Sequence, residues 1–399
     1  MEPFLIYYGL QVLLTALSFF LSPDNKKRVF WGSAALLVAF VGLRATTVGT
    51  DTDNYIASFN HPEGGYGTDV DFGFLVLLYI TNFLYANTDW LFILTTGILS
   101  LWGILNLSYR TSRNPVLSIL LFSIGSTSVW FLFHYMSGIR QSMAESMVLL
   151  GFYYWMGNDF EIDTPADQEA TSDDESEIPV PPGRNPIKAV IFMLLALSLH
   201  ASSLVTIPLL FFSSRIRISR YLWVGILALS YVIGVQSFFS FQELVLSIFD
   251  FLGQGIGVLR RYSLYAVQNM ETAAASGFFN PNLWPFTFIG IFCCLFGNDR
   301  IFRSGYFVIL MLSIVICNLF NDSSIWGRLF LYGMLTMPVV FANVIEYRKN
   351  WIAFGFLFFI SAYFIYRNIT VLTMQVFHLD KGNVVVPYET FFYAFPSFF

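Results

Sequence analysis

Four aspartates and an arginine share one polar stretch near the start of the chain. Residues 42–74, GLRATTVGTDTDNYIASFNHPEGGYGTDVDFGF, carry Arg44, Asp51, Asp53, Asp69 and Asp71. A carboxylate held beside a hydroxyl can act as a general base, which makes Asp51 and Asp53 the first candidates for catalysis. The same two acids, at i,i+2, can instead hold a divalent cation, whose preferred ligands are oxygens; beyond that option no cofactor is predicted. In FHYMSGIRQSMAES, His134 closes one apolar run and Arg140 opens the next, with Gln141 beside it. On a helix Arg140 and Ala144 share one stripe, and Gln141 and Glu145 share the neighbouring one. His200 interrupts LLALSLHASSLVTIPLL and is the second candidate for a base. Arg260 and Arg261 precede Tyr262 and Tyr265, a paired cation beside aromatics that suits a diphosphate next to sugar rings. GQGIG, just upstream, follows no strand and lacks the Lys-Ser of a phosphate-binding loop. Arg328 opens a further apolar run after a polar loop.

The elements that must position these residues are membrane helices. Of 399 residues, 56% are hydrophobic and 12% charged, and the mean hydropathy is +0.63; soluble domains carry about 25% charged residues. Apolar runs recur from end to end, and about 20 such residues span a bilayer core. The expected fold is an all-α polytopic membrane protein of about twelve transmembrane or half-crossing helices. Runs lie near 4–21, 29–43, 90–108, 115–133, 139–157, 187–199, 201–212, 221–239, 283–297, 304–320, 324–345 and 351–367. The first lacks a basic n-region and is read as a span, not a cleaved signal. Cys293, Cys294 and Cys317 lie within apolar runs, in neither a CxxC nor a zinc spacing, and read as small core residues.

Charge placement orients the bundle. With the N-terminus outside, 72–86 re-entrant or interfacial, and 187–212 a hairpin bent at His200, six inner clusters collect most of the basic residues. These are Lys26, Lys27 and Arg28; Arg110 and Arg113; Arg184 and Lys188; Arg215, Arg217 and Arg220; Arg300 and Arg303; Arg348 and Lys349, together 14 of the 21 Lys and Arg. The outer face keeps Arg44, Arg140, Arg260, Arg261, Arg328, Arg367 and Lys381, almost all arginine. Arginine offers a rigid, permanently charged fork that matches phosphate oxygens. Arg44, Asp71, His134, Arg140, Gln141, Arg260, Arg261 and Arg328 are therefore the candidate binding residues for an anionic ligand.

The chain, 1–399, reads as one polytopic domain. Within it, 44–89 is an outer catalytic-type loop with its interfacial segment, 253–281 a second outer loop, and 368–399 an outer tail. Residues 158–186 are read as a disordered inner-face insertion: nine acids between Asp159 and Glu177 precede IPVPPGRNP, and nothing there can build a core. That insertion accounts for the net charge of −5, and nothing in the pattern points to nucleic acid.

The motifs GLR-(x)4-GTDT-(x)2-Y at 42–55, IRQ-(x)2-A at 139–144, LxxHASxL around His200, the span-opening Arg328 and the terminal Pro387-Tyr388 resemble the EpsG family of exopolysaccharide-biosynthesis membrane proteins, similar in role to Wzy-type polymerases. They are spread in order over nearly the whole chain. Where that family often has Glu before a Gly-aromatic pair, this chain has Asp71 in DFGF; the acidic insertion is not a family feature. The resemblance implies a multi-pass protein of the plasma membrane whose active site faces outward. It also implies inverting glycosyl transfer between undecaprenyl-diphosphate-linked glycans, with membrane lipid and the flippase and chain-length regulator of the same pathway as partners. A lipid-linked sugar flippase, a membrane acyltransferase and a non-catalytic subunit of an export complex are the rival readings.

Overall fold

The structure, a computed structural model, describes residues 2–63, 71–86, 88–125, 131–160, 181–213, 215–236, 283–320 and 331–376. Among these the chain is helical, with no strand. It divides into two compact units, one of residues 1–126, 130–204 and 338–399, the other of 127–129 and 205–337.

The first unit contains α1 (Glu2–Ser18), α2 (Pro23–Gly42), α3 (Thr52–Asn60), α4 (Phe72–Tyr85), α5 (Asp89–Thr111), α6 (Pro115–Ile124), α7 (Phe131–Ser137), α8 (Ile139–Met156) and α9 (Pro186–Leu199). Local chemistry sets several of these starts. Asn114 and Asn185 each accept a hydrogen bond from the backbone N–H three residues on, and Pro115 and Pro186 follow them. An asparagine cap followed by proline satisfies one orphan donor and removes another. The centre of the unit is α8, packed against α5 and α9. Gly103 brings α5 so close to α8 that its N–H donates to Ser146 Oγ at 2.7 Å.

One end of this unit gathers basic residues. Lys26, at the start of α2, pairs with Glu346, which also holds Lys349 at 2.6 Å. Lys27 lies over the Tyr109 ring, Arg110 over Tyr153, Arg113 over Tyr347 and Lys188 over Tyr154. The opposite ends of α2, α5 and α8 carry Arg44, Asp89 and Arg140. The unit is closed by α15 (Met337–Arg348) and α16 (Trp351–Val376). In α16, Trp351, Phe358 and Tyr366 are 83%, 76% and 68% exposed, an apolar surface suited to lipid rather than water.

The second unit holds α10 (Thr206–Ser213), α11 (Arg220–Gln236), α12 (Trp284–Phe296), α13 (Asp299–Arg303) and α14 (Gly305–Leu319). Asn318 ties it internally, donating to Ser230 Oγ at 3.0 Å and accepting from Thr287 Oγ1 at 3.0 Å.

Among the described residues most expected spans coincide with a helix, with three differences. One lies in the run 324–345, which is described from 331 and turns at 335–336 before α15. The run 115–133 is not one continuous helix: α6 stops at Gly125, whose Cα sits under the Phe131 ring, and α7 begins at Phe131. The polar loop of 44–89 contains α3, a short helix that buries Tyr55 and Phe59. The break at His200 is present, where α9 ends and a 3₁₀ turn, Ala201–Val205, follows. Among the described residues, Asp89–Thr111 and Trp351–Leu372 are long and apolar enough to cross a bilayer alone; the other apolar helices are shorter. Helix α4, 14 residues, rises about 21 Å, less than a bilayer core of ~30 Å.

Candidate active site

The N-terminal loop is held by a buried arginine. Arg44 is 1% exposed. Its Nε donates to the Val48 carbonyl at 3.2 Å, Nη1 to the Val41 carbonyl, and Nη2 to the Met136 carbonyl at 2.8 Å. One guanidinium thus joins the end of α2, the loop and the end of α7. Thr52 Oγ1 adds a bond to the Val48 carbonyl at 2.8 Å, and the Thr50 N–H donates to Ser137 Oγ at 3.3 Å. Gly49 completes the closure with φ +111°, and a Cβ there would fall 2.6 Å from the Met136 carbonyl oxygen. Glycine adopts such a backbone without steric cost.

This stapling presents Asp51 and Asp53 at the start of α3, both exposed. Asp51 is the N-cap residue but makes no side-chain capping bond. Below them Tyr55 packs edge-on to Phe74 at 5.6 Å, and Phe59 stacks on Phe92 at 4.7 Å. With Leu78, Ile93, Ile139 and Met143 these rings form one cluster that fixes α3 against α4, α5 and α8.

Arg140 and Asp71 meet across that cluster. Arg140 Nη1 lies 3.6 Å from Asp71 Oδ2, both side chains about a quarter exposed, and the guanidinium sits over the Phe74 ring at 5.9 Å. The separation is longer than a charge-assisted hydrogen bond of ~2.7–2.9 Å, so the pair is an electrostatic neighbour rather than a locked fork. Asp71 itself is the N-cap residue of α4.

One turn further into α8, Glu145 is wholly buried. Its Oε1 lies 3.0 Å from His134 Nε2 and accepts from Gln141 Nε2 at 3.1 Å. His134 Nε2 and Gln141 Nε2 thus converge on one carboxylate oxygen, with Nδ1 on the other face of the ring. Gly138 lies flat against that face: a Cβ there would stand 3.2 Å from Nδ1.

His200 caps α9. Its Nδ1 accepts from the Ser202 N–H at 3.3 Å and contacts Ser202 Oγ at 2.6 Å. In the neutral ring Nε2 then carries the hydrogen, so His200 offers a donor on its other face. The helix it ends lies against the start of α4, because Gly73 lets the backbones meet at Ser198.

The structure therefore pairs Asp71 with Arg140 and, on the same helix as Arg140, joins Gln141 to His134 through Glu145; the loop of Asp51 and Asp53 is anchored at Ser137 and the end of α9 lies beside Gly73. Arg44 is adjacent, but its donors point into the protein. Arg260, Arg261 and Arg328 lie outside the described residues, as do Asp69, most of the acidic insertion, the loop 253–281 and the tail beyond 376. Among the described residues no three His, Cys, Asp or Glu side chains converge as a metal site. The sequence pattern had not singled out Phe74 or Ser137. Their signal was proximity to Asp71 and Arg140, but contact between two distant segments is not periodic and leaves no mark in either.

The described geometry can bind an anion at Arg140, accept a proton at exposed carboxylates, and hold apolar chain nearby. A protein-family model described as EpsG family matches residues 28–161 and 183–390, most of the chain. No curated protein and no solved structure matches it.

Proposed function

Because the chain belongs to the EpsG family, a Wzy-like polysaccharide polymerase family, we propose that it polymerises lipid-linked oligosaccharide repeats at the outer face of the plasma membrane. The observation that carries this reading is the loose Arg140–Asp71 pair beside the anchored loop of Asp51 and Asp53. It sets a phosphate-binding fork and a candidate base on one end of one helical unit, away from the basic cluster at Lys26 and Lys349.

In this reading the chain is a multi-pass protein of the plasma membrane with about twelve transmembrane or half-crossing helices, α4 being re-entrant. The donor is a growing glycan on undecaprenyl diphosphate, the acceptor another lipid-linked repeat. Asp51, with Asp53 beside it, takes the proton from the non-reducing-end hydroxyl of the acceptor. The freed oxygen attacks the anomeric carbon of the donor from the face opposite the diphosphate. The bond from that carbon to the diphosphate oxygen breaks, and the lipid diphosphate leaves with the electron pair. The new glycosidic bond has inverted configuration. Arg140 stabilises the charge that grows on the departing diphosphate, and diphosphate leaves without protonation. Asp71 holds the fork in place until the diphosphate displaces it, and Gln141 and the His134–Glu145 pair fix the helix turn on which it stands. His200 donates to a sugar or phosphate oxygen through Nε2. Arg44 acts by fixing the loop. Arg260, Arg261 and Arg328 extend the cationic surface by the sequence argument alone. A divalent ion held by Asp51 and Asp53 is the alternative use of those acids. The pathway's flippase and chain-length regulator are the expected protein partners.

A lipid-linked sugar transporter is the second reading, favoured by the buried His134–Glu145 pair, since ionisable groups inside a bundle mark proton and substrate paths. Cells carrying Asp51→Asn separate the two. Polymerase loss leaves single lipid-linked repeats accumulating in the outer leaflet; repeats confined to the inner leaflet assign the defect to transport.

A further inference from the structure

Four helices of the first unit line a groove of about 370 Å³ that is apolar apart from the Ser198 hydroxyl, α4, α8 and α9 supplying most of it and α5 only Leu99. On α4 the stripe Phe72, Val76, Ile80 runs at i,i+4,i+8 and starts directly after Asp71. On α8, Met143 and Met147 lie at i+3 and i+7 from Arg140, so they continue the stripe of the guanidinium itself. On α9, Leu195 and Leu199 lead to His200. All three apolar stripes thus end in a charged or polar residue at the same end. Phe72, Ile80 and Leu195 are 74%, 51% and 46% exposed, so the groove is open along its side. Gly73, pressed on Ser198, brings α4 and α9 into contact at the head end.

An apolar trough with an arginine fork at one end is complementary to an amphiphile with an anionic head. We propose that this groove seats the first isoprene units of a polyisoprenyl diphosphate, with the diphosphate at Arg140. The assignment rests on the polymerase reading for its ligand class, and adds the place where the lipid carrier is held. The fork favours diphosphate over the monoester or diester phosphate of ordinary lipids, because two adjacent anionic groups can engage its several N–H donors. The two methionines suit a branched chain, since the thioether side chain adapts to irregular surfaces.

The test uses the full chain in phosphatidylglycerol nanodiscs with a sugar-free polyprenyl diphosphate that carries a diazirine in its first isoprene units. Light-induced adducts should map to Val76, Met143, Met147 or Leu199. Excess unlabelled polyprenyl diphosphate should compete, whereas added phosphatidylglycerol should not. Met147→Trp, which fills the groove, should lower adduct yield about tenfold, and Leu13→Trp, on an exposed face of α1 outside the groove, should leave it unchanged. Adducts away from the groove-lining residues of α4, α5, α8 and α9, or equal competition by phosphatidylglycerol, would overturn the proposal. The probe carries no sugar, so labelling is independent of transfer. Groove labelling in a protein that makes no polymer would count against the polymerase reading alone. Polymer formation with adducts elsewhere would count against the groove alone.

Discussion

Arg140 Nη1 stands 3.6 Å from Asp71 Oδ2, joining the first turn of α8 to the residue that caps α4. The two are 69 positions apart in the chain (140 − 71), and their meeting defines the head of the groove and the place proposed for diphosphate. Both side chains are about a quarter exposed, so in the proposed reading the carboxylate that a phosphate displaces passes to water rather than into the core.

Arg140→Ala should therefore abolish polymer, and Arg140→Lys should leave partial activity with shorter chains. Lysine keeps the charge but not the fork. A loss of ~10²- to 10³-fold for Ala is the scale set by removing one donor to a developing oxyanion. Chain-length profiles on gels check both. Asp71→Asn should lower activity less than Arg140→Ala, since the fork remains.

Arg44 should behave as a structural residue. Its three carbonyl acceptors belong to Val41, Val48 and Met136, and a lysine ammonium cannot reproduce that planar spread. Arg44→Lys should lower the apparent melting temperature of the purified protein, with each carbonyl left unpaired costing about 1–3 kcal/mol. Gly49→Ala should act in the same direction through its positive φ. A melting temperature equal to that of the parent, with weakened substrate binding, would move Arg44 into the ligand site.

These residues show where the sequence was readable. Apolar runs located the helices because a helix that is apolar on most of its faces leaves a continuous apolar stretch in the sequence. The i,i+4 spacing of Gln141 and Glu145 was equally readable, since helix geometry alone puts them on one stripe, and the structure places Gln141 Nε2 3.1 Å from Glu145 Oε1. Arg44 was not readable. A loop arginine that binds carbonyls 3 and 92 residues away has the same local sequence as one that binds phosphate. The helix α3 depends likewise on Tyr55 against Phe74 and Phe59 against Phe92, which are contacts between separate segments.

Glu145 is wholly buried with His134 and Gln141 on one oxygen. Glu145→Ala should destabilise the protein by ~1–3 kcal/mol for each donor stranded in the core, and Glu145→Gln by less. Thermal unfolding in detergent reads both. Full stability for Glu145→Ala would show that His134 and Gln141 find other partners.

Orientation can be read with single cysteines in a chain lacking Cys293, Cys294 and Cys317. Asp53→Cys, exposed at the start of α3, should react with an impermeant thiol reagent in whole cells. Lys27→Cys, at the basic end, should react only after permeabilisation. The reverse pattern would place the candidate site on the inner face.

The central claim is glycosyl transfer between lipid-linked repeats, and reconstitution tests it most directly. Purified protein in liposomes, given only undecaprenyl-diphosphate-linked repeats, should produce a ladder of products spaced by one repeat, with the new linkage inverted relative to the donor. Asp51→Asn, folded to the same melting temperature, should yield no ladder. Repeats that remain single while moving from one leaflet to the other would contradict the account and assign the chain to transport.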